Sequence, residues 1–266
     1  DNIRAGSAAR ACDHRPVGAR PSPISWKRKT RDMTDTVDTL EQLAQRLDRA
    51  AQEHTAVARW SGAQPLSLAQ AYQVQSQTVA LRCARGDTIV GLKQAFTNRA
   101  MMQRMGVAEP VTGLLCRSMQ VADGGTLDIT TVLRPRVEVE VMFKLAQPLP
   151  ADATPAQALE RVEALAVAIE IVDGRYNDTR FASQDAVADN ASAYGFVIGA
   201  WQSPSAKLDD CAVTLEIDGA VVASGTTASI LDHPLQALCN VARLAARDDR
   251  PLGAGSIVLA GSAIDP

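Results

Sequence analysis

The segment Leu165-Ala-Val-Ala-Ile-Glu-Ile-Val172 is apolar at every position except Glu170. A short apolar run without alternation is typical of a strand that is buried on both faces. An ionised carboxylate inside such a strand raises the free energy of the folded state unless it has a partner, a shifted pKa or a bound metal ion. The segment therefore predicts a central strand in which Glu170 needs a cation.

A second segment, Val137-Glu-Val-Glu-Val141, alternates apolar and acidic residues. Because side chains alternate between the two faces of a strand, Glu138 and Glu140 share one face. An exposed face of an antiparallel strand is the ordinary explanation of this pattern. Taken with Glu170, however, the pair makes three glutamates without histidine or thiolate neighbours, a set that suits a hard divalent cation such as Mg²⁺ or Mn²⁺.

The rest of the chain predicts an α+β fold. An apolar stripe beginning after Thr34 and a capping box at Ser67 and Gln70 indicate two helices before the first strand. Short strands with intervening turns dominate residues 119–230, a helix follows Asp232, and a last strand covers residues 256–260. Strands and helices do not alternate as they do in βαβ winding, and there is neither a P-loop nor a G-x-G-x-x-G motif.

Composition narrows the functional class. The chain has 266 residues, 46% of them apolar, and a formal net charge of -3, so it can bury a core and offers no basic surface for nucleic acid or an anionic membrane. No apolar run reaches the length of a membrane span. The five cysteines are scattered and odd in number, which indicates neither a disulfide framework nor a structural zinc site. These features predict a cytoplasmic globular protein.

Residues 1–32 differ in composition from the rest. They carry eight basic and three acidic residues and no apolar period, which predicts a disordered basic extension. A transit peptide or a basic binding arm is the alternative. We expect folding to begin at Met33, so that residues 33–266 form one domain.

Four polar residues outside the glutamate set are candidates for a site, each with a structural alternative. Lys93 follows an apolar strand and either faces an anionic substrate or a developing enolate, or extends to the surface. Asn190 and Ser192 either donate to a carboxylate or keto oxygen or belong to a turn. Arg175 either binds a substrate carboxylate or forms an ion pair.

Five motifs, in this order, resemble the 2-keto-4-pentenoate hydratase and 4-oxalocrotonate decarboxylase group of the fumarylacetoacetate hydrolase superfamily. They are Gly91-Leu-Lys-Gln-Ala-Phe-Thr97, Met105-Gly-Val107 with Glu109-Pro110, Pro135-Arg-Val-Glu-Val-Glu140, Ile169-Glu-Ile-Val-Asp173 and Ala188-Asp-Asn-Ala-Ser192. The resemblance implies a mixed β-roll with N-terminal and flanking helices, with residues 33–266 as a single catalytic domain. It also implies that Glu138, Glu140 and Glu170 bind Mg²⁺ or Mn²⁺, that Lys93 is the active-site lysine and that Ser192 binds the substrate.

Two positions resemble the decarboxylase branch of the group. Hydratases of this group have a sequence similar to G-R-K at the lysine motif and carry an acid–base aspartate after the following proline. This chain has Leu92 in place of that arginine and Val111 in place of that aspartate. The resemblance implies decarboxylation of 4-oxalocrotonate (2-oxohex-3-enedioate), a small 2-oxo acid, to 2-hydroxypenta-2,4-dienoate and CO2 in aromatic meta-cleavage catabolism. The alternatives are hydration of that dienol and a catalytically silent subunit of a hydratase.

The resemblance also implies a homo-oligomer and allows a complex with a hydratase. Two features depart from the family pattern: Ala95 replaces a glycine, and the segment 259–266 lacks the threonine-bearing loop. The chain stops where relatives continue into further strands, which predicts a C-terminal truncation.

Overall fold

The computed structural model describes residues 39–60, 65–178, 181–205 and 207–264. The helices are α1 Leu40–Glu53, α2 Leu68–Ala84, α3 Arg99–Met105, α4 Pro155–Glu160, α5 Ser183–Ala188 and α6 Pro234–Arg247. The strands are β1 Ile89–Ala95, β2 Val111–Cys116, β3 Gln120–Val121, β4 Arg136–Leu145, β5 Val162–Val172, β6 Ala193–Ile198, β7 Ala212–Ile217, β8 Ala220–Thr226 and β9 Ile257–Ser262. The predicted α+β class is confirmed.

Seven strands form one mixed sheet in the order β2-β1-β9-β4-β5-β6-β3, and β7 pairs with β8 in a separate hairpin. The last strand, β9, lies between β1 and β4, parallel to β1 and antiparallel to β4. It therefore joins the strand that carries Lys93 to a strand that carries two of the glutamates. Strand β5 lies between β4 and β6, the central place predicted for the segment with Glu170.

The first two helices begin at capping boxes. Thr39 accepts from the backbone of Gln42 at the start of α1, and Ser67 accepts from Gln70 at the start of α2, as predicted. These hydroxyls satisfy N–H groups that have no partner inside the helix. The start of α1 predicted near Thr34 and the extension predicted at residues 1–32 both lie outside the described residues.

The apolar core has two parts. The larger lies between the sheet and α6 and includes Met142 and Phe143, both fully buried. The smaller lies between α1, α2 and the segment around α5, and includes Leu43 and Leu47. Burial of each such side chain contributes about 1.5–3 kcal/mol, so the two helices hold α5 and the turn after it firmly against the sheet.

Two elements and two boundaries differ from the sequence prediction. Strand β2 and helix α5 are additional, because a six-residue element is too short to show a distinct periodicity. The helix expected at about 155–164 ends at Glu160, and β5 begins at Val162. His233 caps α6 in place of Asp232, since Asp232 has a left-handed φ of 67° while His233 is extended and accepts from Leu235.

Among the described residues, none of the helices combines the length and the apolar composition that a membrane span requires.

Candidate active site

Three carboxylates meet where β4 and β5 pair. Glu138 lies directly opposite Glu170 in the register, and Glu140 lies two residues further along β4 on the same face. One oxygen from each of the three side chains lies within 4.8 Å of the other two. Glu140 and Glu170 are fully buried and Glu138 is half-buried. The structure thus brings together the three glutamates singled out in the sequence.

Burial and mutual repulsion act on these carboxylates in the same direction. Burial raises the pKa of Glu140 well above its usual range, and the charges of Glu170 and Glu138 raise it further. Burial also raises the pKa of Glu170 to about 7, against the opposing effect of Lys93. The cluster therefore disfavours three negative charges unless additional positive charge enters the space between them.

Lys93 supplies one positive charge from β1. Its Nζ lies 3.0 Å from Glu170 Oε1, and the side chain is 2% exposed. Burial lowers the pKa of this ammonium, but the field of Glu170, Glu138 and Glu140 outweighs the effect and the pKa is raised. Lys93 is thus a buried cation beside the carboxylates, and the alternative of a surface lysine is wrong.

The donor set fits a divalent cation. Within the described residues, Glu140 Oε1 and Glu170 Oε2 receive no hydrogen bond, and the contact of Glu170 Oε1 with Lys93 is an ion pair without hydrogen-bond alignment. Buried carboxylate oxygens are normally hydrogen-bonded, so unsatisfied ones that converge indicate a ligand site. An all-oxygen set is what Mg²⁺ and other hard divalent cations prefer.

A cavity of about 320 Å³ opens beside Lys93 and Glu138. Lys93, Glu138, Thr97 and Ser192 contribute polar groups to its wall. The apolar part of the lining includes Ala95, Phe96, Met101, Met105, Val172, Phe181 and Ile264. A polar floor beneath apolar walls is the usual arrangement of a small-molecule site.

Ser192 reaches this cavity through an uncommon backbone conformation. Asn190, Ala191 and Ser192 have φ values of 52°, 51° and 57°, which form a left-handed turn just before β6. Left-handed conformations cost non-glycine residues about 1–2 kcal/mol each. Such strain persists only where surrounding contacts determine it, and it concentrates at functional sites.

The structure corrects the expectation for Asn190. Its side chain accepts from the backbone N–H of Leu114 at 2.7 Å and donates to the carbonyl of Leu114 at 2.9 Å. It is buried and does not contribute to the cavity wall. Asn190 therefore ties the left-handed turn to β2, and Ser192 is the residue of the pair that faces the cavity.

Arg175 is corrected as well. Its Nε donates to Asp189 Oδ1 at 2.6 Å, and its terminal nitrogens donate to the carbonyls of Asp173, Asp189 and Ala193. Because these bonds are made in a buried setting, Arg175 does not reach the cavity. It forms the ion pair that was the alternative prediction. It holds the backbone on both sides of Ser192.

Gly113 makes room for this arrangement. It pairs with Lys93 across β1 and β2. A Cβ at this position would lie 2.6 Å from the carbonyl oxygen of Asn190 and 3.2 Å from Lys93 Cγ. Only glycine lets the turn and the lysine approach β2 together.

Val111, read in the sequence as the residue that replaces a hydratase aspartate, does not line the cavity. It is 1% exposed and packs in the smaller core with Val187 and Ala188. Its cross-strand neighbour Ala95 does line the cavity. The position is thus one residue removed from the site.

Two cationic residues of the wall were not singled out in the sequence. Arg136 lies two residues before Glu138 on the same face of β4, and Arg104 lies on α3. The strand alternation that places Glu138 and Glu140 on one face places Arg136 there too, so the sequence pattern could have predicted Arg136 as part of the site. Nothing in the sequence indicates that α3 adjoins the site.

The family comparison adds independent support. Residues 88–264 match the family described as fumarylacetoacetate (FAA) hydrolase C-terminal, which is more than half of the chain. This chain belongs to the fumarylacetoacetate hydrolase family. The family resemblance of the five sequence motifs and the predicted β-roll fold class are therefore confirmed.

Individual relatives refine the position within the family. The chain is 42% identical to a 4-oxalocrotonate decarboxylase from Pseudomonas sp over 84% of its own length and 88% of the relative. It is 36% identical to a 2-keto-4-pentenoate hydratase from Burkholderia vietnamiensis over 72% of this chain and 74% of the relative. A solved structure of 4-oxalocrotonate decarboxylase from Pseudomonas putida G7, complexed with magnesium and adipate, superposes with a TM-score of 0.82 at 30% identity, covering 85% of this chain and 88% of that one.

Proposed function

We propose that this protein is a divalent-metal-dependent decarboxylase that converts 4-oxalocrotonate (2-oxohex-3-enedioate) into 2-hydroxypenta-2,4-dienoate and CO2. The observation that carries the proposal is the convergence of three carboxylates, two of them fully buried, with Lys93, at a place where Lys93 and Glu138 line a cavity. The similarity to two 4-oxalocrotonate decarboxylases supports the choice of reaction.

Glu138, Glu140 and Glu170 would hold the cation, Mg²⁺ or Mn²⁺, since both prefer oxygen ligands. When bound, such a cation supplies Lewis-acid polarisation of the 2-oxo group of the substrate. A related decarboxylase has been solved with magnesium, which supports a divalent metal in this chain. The backbone N–H of Gly261 donates to Glu140 Oε2 at 2.7 Å and fixes the orientation of that carboxylate.

Lys93 would stabilise the charge that develops during the reaction. When the C5–C6 bond of the substrate breaks, its electron pair moves through the conjugated chain to the oxygen on C2, and protonation of that oxygen gives the dienol. A fixed ammonium in a water-poor site stabilises such an oxyanion more strongly than water does. The ion pair with Glu170 keeps Nζ at the floor of the cavity.

Ser192 would donate to the carboxylate at C1 and orient the 2-oxo acid end of the substrate. The left-handed turn fixes the backbone that carries this hydroxyl, so less orientation entropy is lost on binding. Met101, Phe181 and Ile264 on the apolar wall would exclude water from the dienolate.

Hydration of 2-hydroxypenta-2,4-dienoate is the second candidate function, because the chain is also 36% identical to a 2-keto-4-pentenoate hydratase. No carboxylate takes the place of Val111, which favours the decarboxylase. Val111 pairs with Ala95 across β1 and β2 and does not itself line the cavity, so its effect on the choice between the two reactions is indirect.

The two functions are separated by one experiment on the purified chain with Mg²⁺. We expect loss of 4-oxalocrotonate absorbance with one CO2 trapped per molecule consumed, and little change when 2-hydroxypenta-2,4-dienoate is the substrate. Faster consumption of the dienol than of the diacid would overturn the decarboxylase proposal in favour of the hydratase.

The proposal also includes the oligomeric state, the partner and the cellular location of the enzyme. We expect a homo-oligomer, a complex with a hydratase that uses the dienol, and a cytoplasmic location. Light scattering on the purified chain, co-purification with an active hydratase and cell fractionation measure them separately. A catalytically silent subunit would show the complex without metal-dependent turnover of its own.

A further inference from the structure

The cavity wall contains two guanidinium groups that the proposed mechanism does not use. Arg104 and Arg136 both line the cavity. Within the described chain neither makes an ion pair with a carboxylate, and Arg104 donates only to Met101 Sδ at 3.2 Å. The other arginine near the site, Arg175, has a carboxylate and three carbonyls as partners. The two cavity arginines are therefore available to an anion.

The charge of the site indicates what kind of anion this is. Three carboxylates, the ammonium of Lys93 and a divalent cation sum to zero. Arg104 and Arg136 then leave the cavity with two positive charges. A substrate with two carboxylates matches this charge, whereas a monocarboxylate would leave one of these two exposed guanidinium groups with water in place of an anion.

The two arginines occupy different walls. Arg136 lies opposite Val172 in the β4–β5 register, one step from the pair of Glu138 and Glu170. Arg104 belongs to α3, which is not part of the sheet that carries the carboxylates. A 2-oxo acid whose keto end lies at the glutamates therefore has Arg136 beside its C1 carboxylate and presents its far end toward α3.

We infer that Arg104 recognises the distal carboxylate of the substrate and makes the cavity selective for dicarboxylic 2-oxo acids over monocarboxylic ones. This inference rests on the proposed function for the placement of the 2-oxo acid end. A guanidinium donates two parallel hydrogen bonds to a carboxylate, a geometry that an apolar wall does not offer. Arg104 is thus a specificity-determining residue.

The inference has a consequence for turnover. The distal carboxylate is the group that leaves as neutral CO2, so an ion pair with Arg104 stabilises the bound substrate more than the transition state. Interactions of this kind lower KM without raising kcat. Arg104 therefore selects and holds the diacid, while Lys93 acts on the charge that forms at the other end.

The test measures binding of two unreactive probes by calorimetry in saturating Mg²⁺: 2-oxohexanedioate, which has both carboxylates, and 2-oxohexanoate, which lacks the distal one. We expect the wild type to bind the diacid about tenfold more tightly, the value of one charge-assisted contact. Arg104→Gln should bring the two affinities together by weakening the diacid alone. Arg136→Gln should weaken both probes by a similar factor.

Two further variants separate charge from packing. Arg104→Lys should keep part of the preference, because it retains the positive charge. Arg49→Gln, an exposed arginine on α1 away from the cavity, should change neither affinity. A wild type that binds both probes equally, or an Arg104→Gln protein that keeps the diacid preference, would overturn the inference.

A kinetic measurement distinguishes this inference from the proposed function. With 4-oxalocrotonate, Arg104→Gln should raise KM about tenfold and give a kcat equal to or above the wild-type value, as expected for loss of a contact that is stronger in the bound substrate than in the transition state. A fall in kcat with KM unchanged would contradict the assigned role. If the wild type released no CO2, the decarboxylase proposal would fail, and the ratio of probe affinities would still decide the role of Arg104.

Discussion

Two groups of buried charges lie close together in sequence and are neutralised differently. At the end of β5, Glu170 joins Glu138 and Glu140 with only Lys93 as counterion, and several of their oxygens have no donor within the described chain. A few residues later, Arg175 and Asp189 satisfy each other and the backbone around them. Buried charge with a complete set of partners is structural, whereas buried charge that lacks partners marks the place where a ligand binds.

The largest expected effect concerns the cluster of three glutamates, in which several oxygens lack a donor. Glu170→Gln removes a formal charge and an oxygen ligand, so Mg²⁺ affinity should fall at least tenfold and turnover about 100-fold or more. The metal-free variant should be no less stable than the metal-free wild type, because one of three repelling carboxylates is gone.

The control is Glu163→Gln on the same strand, where the exposed carboxylate pairs with Lys144. That variant should leave both metal titration and turnover unchanged. An unchanged Mg²⁺ titration of Glu170→Gln would discard the metal site.

The ion pair of Arg175 and Asp189, which has a complete set of partners, should respond in the opposite way, because its loss should lower the stability of the fold. Arg175→Met leaves Asp189 buried without its counterion and should lower the free energy of unfolding by about 3–5 kcal/mol. Lys144→Gln, which breaks an exposed pair, should cost less than about 1 kcal/mol. Urea unfolding measures both. If Arg175→Met kept wild-type stability, the distinction between the two groups would be lost.

A smaller effect is expected where the two groups meet, at Ser192. Ser192→Ala and Ser192→Gly both remove the hydroxyl and should lower kcat/KM by a similar factor of about ten, the usual value of a lost hydrogen bond to a charged group. Only the glycine relieves the φ of 57°, so it should be more stable than the alanine by about 0.5–1 kcal/mol. Activities that differ strongly between the two variants would show that the turn, and not the hydroxyl, matters.

The smallest effect is expected at Asp87, a carboxylate nearer the surface. Burial raises its pKa, but hydrogen bonds from Ser118 and Arg82 outweigh burial and lower the pKa to about 2. A lowered pKa stabilises the folded state above the unfolded value of about 3.9, and this stabilisation is lost as the pH falls toward 2.

Asp87→Asn should therefore lower stability at neutral pH by about 1 kcal/mol, allowing for solvent screening, and should flatten the acid limb of the stability curve. Thermal unfolding between pH 2 and pH 7 measures this. An unchanged acid limb would show that Asp87 does not contribute.

Strands β4 and β5 illustrate how much the sequence alone predicts. Alternation placed Glu138 and Glu140 on one face, and the apolar run placed Glu170 in a central strand, because both signals are local. The positions of Asn190 and Arg175 could not be predicted in this way. Their partners, Leu114 and Asp189, are reached through tertiary packing, and a polar side chain in a loop has the same local pattern whether it faces a cavity or a backbone.

The cavity wall gives a second case. Arg104 belongs to a seven-residue helix whose position over the site depends on the path of the chain after β1. Val111 had a local signal, an apolar residue where an aspartate was expected, but its distance from the cavity depends on how β2 packs against α5. The sequence thus indicates which residue types a site contains more reliably than it predicts the direction in which their side chains point.

The placement of β9 has a consequence for the order of assembly during synthesis. Residues 257–262 lie between β1 and β4, so the strand of Lys93 and the strand of Glu138 are joined into one sheet only after this late segment has left the ribosome. Chains emerge from the amino end, and contacts between distant segments form slowly. A nascent chain that stops short of β9 therefore has all the charged residues of the site but no sheet that holds the lysine against the carboxylates.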